Sequence, residues 1–250
     1  MTWDWTPLAE ELRAWGQAGQ TLPLWWRDDD AVAATPQLER LSDLSRRLGL
    51  PVHLAVIPQA ARPDLAALVA QTPELIPVVH GWAHHNHAPA GEKKAEFRLH
   101  RPLEAIKDDA RRGLAQLCDQ FQDRLRPMFV PPWNRIAPEV AATLPELGYR
   151  FLSTATPRAQ RLAAPGLEQV NTHLDPIDWR GIRGLADPDA LIGQTVALLR
   201  DRRLGRADPQ EPFGVLTHHL VHDQQIWDFT EALLMQLLQG PVRIWTVPVH

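Results

Sequence analysis

Two clusters of polar side chains follow apolar runs in this sequence. His80 and His84 belong to the segment VVHGWAHHNH (78–87), and three consecutive aspartates at 28–30 follow the run LPLWW (22–26). Adjacent carboxylates repel one another, and a nearby cation would relieve that repulsion. Imidazole and carboxylate together suit zinc and its first-row neighbours. The sequence therefore predicts a divalent metal site, against the simpler alternatives of a helix cap for the aspartates and a polar loop for the histidines.

Short apolar runs alternate with longer helical patterns along the chain. Proline stands at or near the first helical position in TPQLERL, RPDLAAL, RPLEAI, APEVAATL and DPDALIG, where its missing N–H costs nothing. Eight runs are predicted to be strands, namely LPLWW (22–26), VHLAVI (52–57), LIPVV (75–79), MFVP (128–131), YRFLST (149–154), EQVNTH (168–173), FGVLTH (213–218) and VRIWTV (242–247).

Strands separated by helices imply parallel pairing, and seven or eight such units predict an α/β fold with a closed or nearly closed barrel. A doubly wound open sheet is the alternative. We expect one domain over 1–250, with a core at about 22–247. In such barrels the reacting groups collect at the carboxyl ends of the strands, which is where the sequence places its polar clusters.

Bulk composition excludes several classes of function. The net charge is −4, the chain has 26 basic and 30 acidic residues, and no basic patch favours nucleic acid or a membrane surface as a partner. No secretory signal or membrane span is apparent, so a cytoplasmic location is expected. The single cysteine, Cys118, is predicted to be a packed core thiol.

Five motifs, RDDDA, HGWAH, FVPPWN, DPIDW and GVLTHH, occur in an order and spacing that resembles the polysaccharide deacetylase family, which is also the chitooligosaccharide-deacetylase homology domain of carbohydrate esterase family 4. The resemblance covers about 22–247. It implies a distorted (β/α)7, TIM-like barrel and metal-dependent hydrolysis of a non-peptide amide, usually an N-acetyl group on a sugar. One divalent ion is implied, with zinc favoured over cobalt, manganese, nickel or iron.

The resemblance also assigns roles to the first two motifs. Placing Ala31 on the family's glycine makes Asp29 the catalytic base and Asp30 a metal ligand. Shifting by one residue gives Asp28 and Asp29 instead, and the sequence leaves both assignments open. His80 and His84 become the other two metal ligands.

The later motifs supply the acid and the walls of the site. Asp175 would orient the acid His218, and His219 competes for the acid role although strand alternation points the two histidines apart. Four residues are expected to contact a substrate. Trp133, Trp179 and Trp82 would form aromatic walls for a sugar ring, and Asn134 would be a polar contact.

Two departures from the family pattern affect the function. The arginine that braces the base in the third motif is replaced by Val130, and Arg27 or Arg135 could substitute for it. The missing export signal favours a small-molecule or soluble carbohydrate over an insoluble glycan. The segment 88–101 is either a lid or an ordinary solvated loop.

Three functions compete at this stage. A deacetylase-type metal hydrolase, acting on a sugar amide or on a non-sugar amide, is favoured. The others are a carbohydrate-binding relative that has lost activity and a ferrous-iron oxygenase, because two histidines and a carboxylate also hold iron. Retention of Asp29, Asp175 and His218, which have no metal-binding duty, argues against lost activity.

Overall fold

A computed structural model describes residues 3–249, so Met1, Thr2 and His250 of the expected domain lie outside it. Its helices are α1 (Thr6–Gln17), α2 (Pro36–Leu48), α3 (Pro63–Gln71), α4 (Leu103–Phe121), α5 (Pro138–Thr143), α6 (Pro188–Arg203) and α7 (Gln224–Leu238). Its strands are β1 (Leu22–Ala31), β2 (Val52–Val56), β3 (Leu75–His80), β4 (Met128–Val130), β5 (Phe151–Leu152), β6 (Leu162–Ala164), β7 (Leu167–Gln169), β8 (Phe213–Thr217) and β9 (Val242–Ile244).

Proline fixes where the helices begin, as the sequence predicts. Four helices start on a proline, and α4 starts directly after Pro102. The hydroxyl of Thr35 also accepts a hydrogen bond from the N–H of Leu38 at the start of α2, and Gly49 ends that helix in a left-handed conformation.

The strands form one sheet in the order β6-β7-β5-β4-β3-β2-β1-β8, with β9 also pairing with β1. All pairs are parallel except the hairpin β6–β7. The strand ladder is not closed, but residues 170–174 bridge the gap, since Thr172 bonds to Thr154 and His173 to Gly214. The expected α/β fold, a distorted (β/α)7 TIM-like barrel, is confirmed in this incompletely closed form.

Alternation along the strands separates two apolar layers. Trp25, Ala55, Val78 and Met128 fill the inside of the barrel, while Trp26 and its neighbours pack against the helices. Because the inner face of β1 continues from Trp25 through every second residue, polar side chains at the carboxyl end of that strand face the mouth of the barrel.

Three expectations need correction. Strand β1 continues to Ala31, so the three aspartates lie within the strand rather than after it. The run 168–173 is mostly irregular, because it serves as the bridge across the open ladder. Cys118 is exposed on α4 rather than packed in the core.

Within residues 3–249, no helix is long and apolar enough to cross a membrane. The cytoplasmic location stays a prediction.

Candidate metal centre

A cavity of about 470 Å³ opens at the carboxyl ends of the barrel strands. Nine of the ten predicted site residues line it. They come from β1, β3 and the loops after β3, β4, β7 and β8: Asp29, Asp30, His80, His84, Trp133, Asn134, Asp175, Trp179 and His218. The clusters that are far apart in sequence therefore meet at one site, as the barrel rule requires.

A bulge in β1 separates the three aspartates. The pairing register with β2 shifts between Asp28 and Ala31, and Asp30 has a φ of 74°. Regular alternation would put Asp28 and Asp30 on the helix side and only Asp29 on the inside. Because the bulge re-aims Asp30, both Asp29 and Asp30 line the cavity.

Asp30, His80 and His84 bring three ligand atoms to one point. Oδ1 of Asp30 lies 3.2 Å from Nε2 of His80 and 3.3 Å from Nε2 of His84. The three ligand atoms all lie within 4.8 Å of one another. One carboxylate and two imidazoles make up a three-ligand set that leaves a coordination position open, so these residues fit a zinc-type catalytic ion.

The backbone prepares His80 for this role. Its Nδ1 lies 3.0 Å from the carbonyl oxygen of Val130. A carbonyl oxygen only accepts, so Nδ1 carries a proton and Nε2 is the atom that faces Asp30. The third motif thus still serves the site through the main chain of Val130, although its side chain is not an arginine.

Electrostatics act differently on the three members of the trio. Burial on its own would raise the pKa of Asp30, but the hydrogen bond and charge of His80 outweigh it and hold that pKa well below its usual range. Burial and the charge of His80 lower the pKa of His84, which favours the neutral imidazole that binds metals. Burial also opposes protonation of His80, yet the charge of Asp29 and the hydrogen bond to Asp30 raise its pKa.

Arg27 holds Asp29 through two hydrogen bonds. Nε donates to one carboxylate oxygen at 2.9 Å and Nη2 to the other at 3.0 Å, and both side chains are almost fully buried. The two residues are two apart on β1 and so share its inner face. Arg27 therefore occupies the bracing role that the sequence left open, whereas Arg135 bonds to the carbonyl oxygen of Lys94 instead.

A second acid–imidazole pair faces the metal trio across the cavity. Nδ1 of His218 lies 3.8 Å from Oδ2 of Asp175 and has no hydrogen-bond partner among the described residues. Asp175 accepts hydrogen bonds from the indole N–H of Trp179 at 2.7 Å and from the backbone N–H of Ile177 at 3.0 Å. Burial raises the pKa of Asp175, although His218 and Trp179 act in the opposite direction.

His219 points away from the cavity, as alternation predicts. Its Nδ1 and backbone N–H both bond to Asp28, at 2.5 Å and 3.0 Å, and Thr217 donates to the same carboxylate at 2.6 Å. Burial opposes the ionised form of Asp28, but the charge of His219 and these hydrogen bonds lower its pKa. Geometry therefore favours Asp29 with Asp30, and His218, over the alternatives Asp28 and His219.

Trp82 is the one predicted site residue that does not reach the cavity. Its ring is buried against α4 and lies under the guanidinium of Arg112, 4.2 Å from the ring centroid. Gly81 precedes it with a φ of 57°, a left-handed conformation at the point where the chain leaves β3. Trp82 borders a separate cavity of about 320 Å³, together with His85 and His87.

Glu96 is a supporting residue that sequence reasoning missed. It is fully buried, and its carboxylate accepts hydrogen bonds from the backbone N–H groups of Trp82, Ala83 and His85. Phe97 is buried beside it, so segment 88–101 is anchored at this end rather than free to act as a lid. Residues 89–94, with Lys93 and Lys94, are exposed on one side of this buried stretch, and Arg98 and Leu99 are exposed on the other. No spacing rule identifies such a brace.

The loop after β4 carries backbone conformations that favour glycine. Trp133 and Asn134 have φ values of 55° and 56°. Asparagine tolerates this region better than most residues other than glycine, which fits Asn134 to this turn. The turn places Trp133 against His84, with ring centroids 4.3 Å apart, and Asn134 accepts a hydrogen bond from Arg27 at 2.7 Å.

Comparison with known proteins shows the fold. No protein-family profile and no curated protein sequence matches this chain. A family 4 carbohydrate esterase from Streptomyces lividans, solved with acetate, superposes with a TM-score of 0.59 at 14% identity over 90% of this chain and 93% of that chain. A family 4 esterase from Streptococcus mutans gives 0.56 at 12% identity over 95% and 91%.

A peptidoglycan N-acetylglucosamine deacetylase bound to an aryl-N-hydroxybenzamide also superposes, with a TM-score of 0.57 at 15% identity over 91% of this chain and 87% of that chain. This protein therefore has the fold of family 4 carbohydrate esterases and polysaccharide deacetylases. The resemblance that the five motifs predict is confirmed at the level of the fold. Function rests on the site itself.

Proposed function

We propose that this protein is a metal-dependent hydrolase of a non-peptide amide, with the N-acetyl group of a sugar as the favoured substrate. One observation carries the proposal. A three-ligand trio, a buried carboxylate and a histidine–aspartate pair all face the same cavity of about 470 Å³. Amide hydrolysis needs these three functions, which are an activated water, a base and an acid for the leaving amine.

Asp30, His80 and His84 would hold the ion. A divalent metal bound there supplies a Lewis acid that activates water and polarises a carbonyl oxygen. The nitrogen-rich donor set favours zinc, with cobalt, manganese, nickel and iron as alternatives.

Asp29 and His218 divide the proton transfers. Asp29 accepts the proton of the attacking water, and its bidentate contact with Arg27 fixes the direction of its carboxylate. His218 donates a proton to the departing nitrogen, and Asp175 lies behind its imidazole at 3.8 Å. Trp179 orients Asp175 through its indole N–H.

A sugar ring fits the walls of the cavity. Trp133 and Trp179 both line it, and Trp179 keeps 42% of its surface exposed. Aromatic faces of this kind stack on the apolar side of a sugar ring. The solved structures of similar fold include esterases as well as an N-acetylglucosamine deacetylase, so an acetate ester belongs among the test substrates.

The first experiment is elemental analysis of protein purified without added metal, followed by an assay of acetate release. We expect about one equivalent of a divalent ion and acetate release from N-acetylglucosamine or a short chitin oligomer, with loss of both after chelation and return on adding zinc. Protein that binds no divalent ion under any condition would refute the proposal. Stoichiometric metal with no acetate from any amide or ester would leave the binding-protein alternative.

Two neighbouring histidines provide a matched pair of variants. His84→Ala removes a ligand, so metal content and turnover should fall together. His85→Ala changes an exposed side chain outside the cavity and should leave both within about twofold of the original. Equal metal content in the two variants would show that His84 is not a ligand.

A further inference from the structure

Two arginines on the cavity have no acidic partner. Arg135, in the loop after β4, and Arg183, in the loop before α6, both line the metal cavity. Within residues 3–249 neither guanidinium forms an ion pair, and Arg135 makes one hydrogen bond, to the carbonyl oxygen of Lys94 at 2.7 Å. The side chain of Arg183 has no hydrogen bond among the described residues, so both retain donors that face the cavity.

The carboxylates that line the cavity contact residues other than these two arginines. Asp29 is held by Arg27, Asp30 by the two histidines, and Asp175 by Trp179. None of them neutralises Arg135 or Arg183. In net charge the three carboxylates balance Arg27, Arg135 and Arg183, so a divalent ion, which the proposed function requires, gives the cavity the excess of positive charge that attracts anions.

The backbone supports a constrained position for Arg183. Its φ is 58°, a left-handed conformation that is uncommon for residues other than glycine and asparagine. Its N–H bonds to the carbonyl oxygen of Asp178 at 3.1 Å, which closes the turn. Arg183 is exposed to solvent, and this turn holds it at the edge of the cavity that it lines.

We infer that the substrate carries an anionic group, a carboxylate or a phosphate, that Arg183 and Arg135 bind while the acyl group lies at the metal trio. This inference rests on the proposed function and narrows its substrate to acidic amides. The guanidinium fork suits either anion, because its parallel N–H groups match two oxygens. Trp179 would contact the ring that joins the two groups.

Three sugars with the same acetamide separate these chemistries. N-acetylglucosamine is neutral, N-acetylglucosamine 6-phosphate carries a phosphate, and N-acetylmuramic acid carries a carboxylate. We expect kcat/KM for at least one acidic sugar to exceed that for the neutral sugar by about tenfold or more. Arg183→Gln should lower the ratio of kcat/KM for the acidic sugar to kcat/KM for the neutral sugar by about tenfold.

A control in the same loop separates the effect of an arginine that lines the cavity from the effect of losing one positive charge anywhere in the loop. Arg180→Gln removes the same charge from an exposed residue that does not line the cavity, so the preference should remain. Arg135→Gln tests the second cation and should also reduce the preference for the acidic sugar. An unchanged melting temperature would show that this reduction does not come from loss of the hydrogen bond to Lys94. An effect of Arg180→Gln equal to that of Arg183→Gln would overturn the assignment.

A binding measurement keeps this inference separate from the proposed function. Calorimetric titration of the zinc-loaded protein with glucosamine 6-phosphate and with glucosamine measures affinity without turnover. We expect the phosphate to bind more tightly in the original protein, and Arg183→Gln to weaken it about tenfold. If the phosphate bound only to the metal ion, its affinity would be the same in that variant. Equal affinity in both proteins refutes the anion site, whereas preserved binding without acetate release refutes only the hydrolase.

Discussion

Replacing Arg27 tests how the base is held in place. Its side chain is fully buried, and each of its five N–H groups has an acceptor within 3.3 Å, on Asp29 (two oxygens), Asn134, Ser153 and Thr154. Arg27→Met keeps an unbranched aliphatic stem without the guanidinium, and it leaves a buried carboxylate without its counter-charge. We expect the free energy of unfolding to fall by about 3–5 kcal/mol, the usual cost of breaking a buried pair from one side.

The double variant Arg27→Met, Asp29→Leu distinguishes loss of the pair from loss of packing. Removing both charges should recover most of the stability, because the unpaired carboxylate is gone. Guanidinium denaturation in the presence of a chelator measures all three proteins without stabilisation by bound metal. Arg180→Met, at an exposed site, should change stability by less than about 0.5 kcal/mol. A single variant within about 1 kcal/mol of the original, or a double variant no more stable than the single one, would refute the reasoning.

Three further perturbations address other parts of the molecule. Burial lowers the pKa of His53 from 6.5 to about 4, so the unfolded chain binds the extra proton between those values. The free energy of unfolding should therefore decrease as the pH is lowered from 6.5 to 4, by about 3 kcal/mol at pH 4. Denaturation curves recorded in the presence of a chelator should show a shallower pH dependence for His53→Gln. Gly81→Ala places a Cβ about 2.5 Å from Cδ of Pro132 at a φ of 57° and should cost about 2–4 kcal/mol, with metal content falling too; unchanged stability would contradict it. Trp179→Phe keeps a ring but removes the donor to Asp175, so kcat should drop about tenfold with little change in KM, and an unchanged kcat would show that the hydrogen bond has no part in turnover.

Local rules predict most of the fold. Proline positions mark the starts of the helices, and the apolar runs mark most strands, because both depend on neighbouring residues only. The hairpin β6–β7 was missed although Pro165 and Gly166 form a turn signal between its strands. The bridge at 170–174 could not be predicted, since it depends on two strands distant in sequence.

The site was predicted in its composition more than in its geometry. Alternation gives the opposite directions of His218 and His219, and it could also have paired Arg27 with Asp29. The bulge that turns Asp30 inward has no sequence signal within three identical residues. Trp82 lies outside the cavity, and a motif does not reveal this because it shows which residues are adjacent in sequence but not where the chain turns.

Each aspartate at 28–30 contacts a different partner. Asp28 bonds to His219 just after β8, Asp29 bonds to Arg27 on β1 itself, and Asp30 contacts the two histidines at the end of β3 and in the loop after it. The length of β1 is therefore as important as its composition. Deleting one residue upstream would exchange the inner and outer faces, and each acidic group would then meet the wrong neighbour. This strand should tolerate changes of length far less well than the exposed stretch at 89–94, where a residue gained or lost alters no such match.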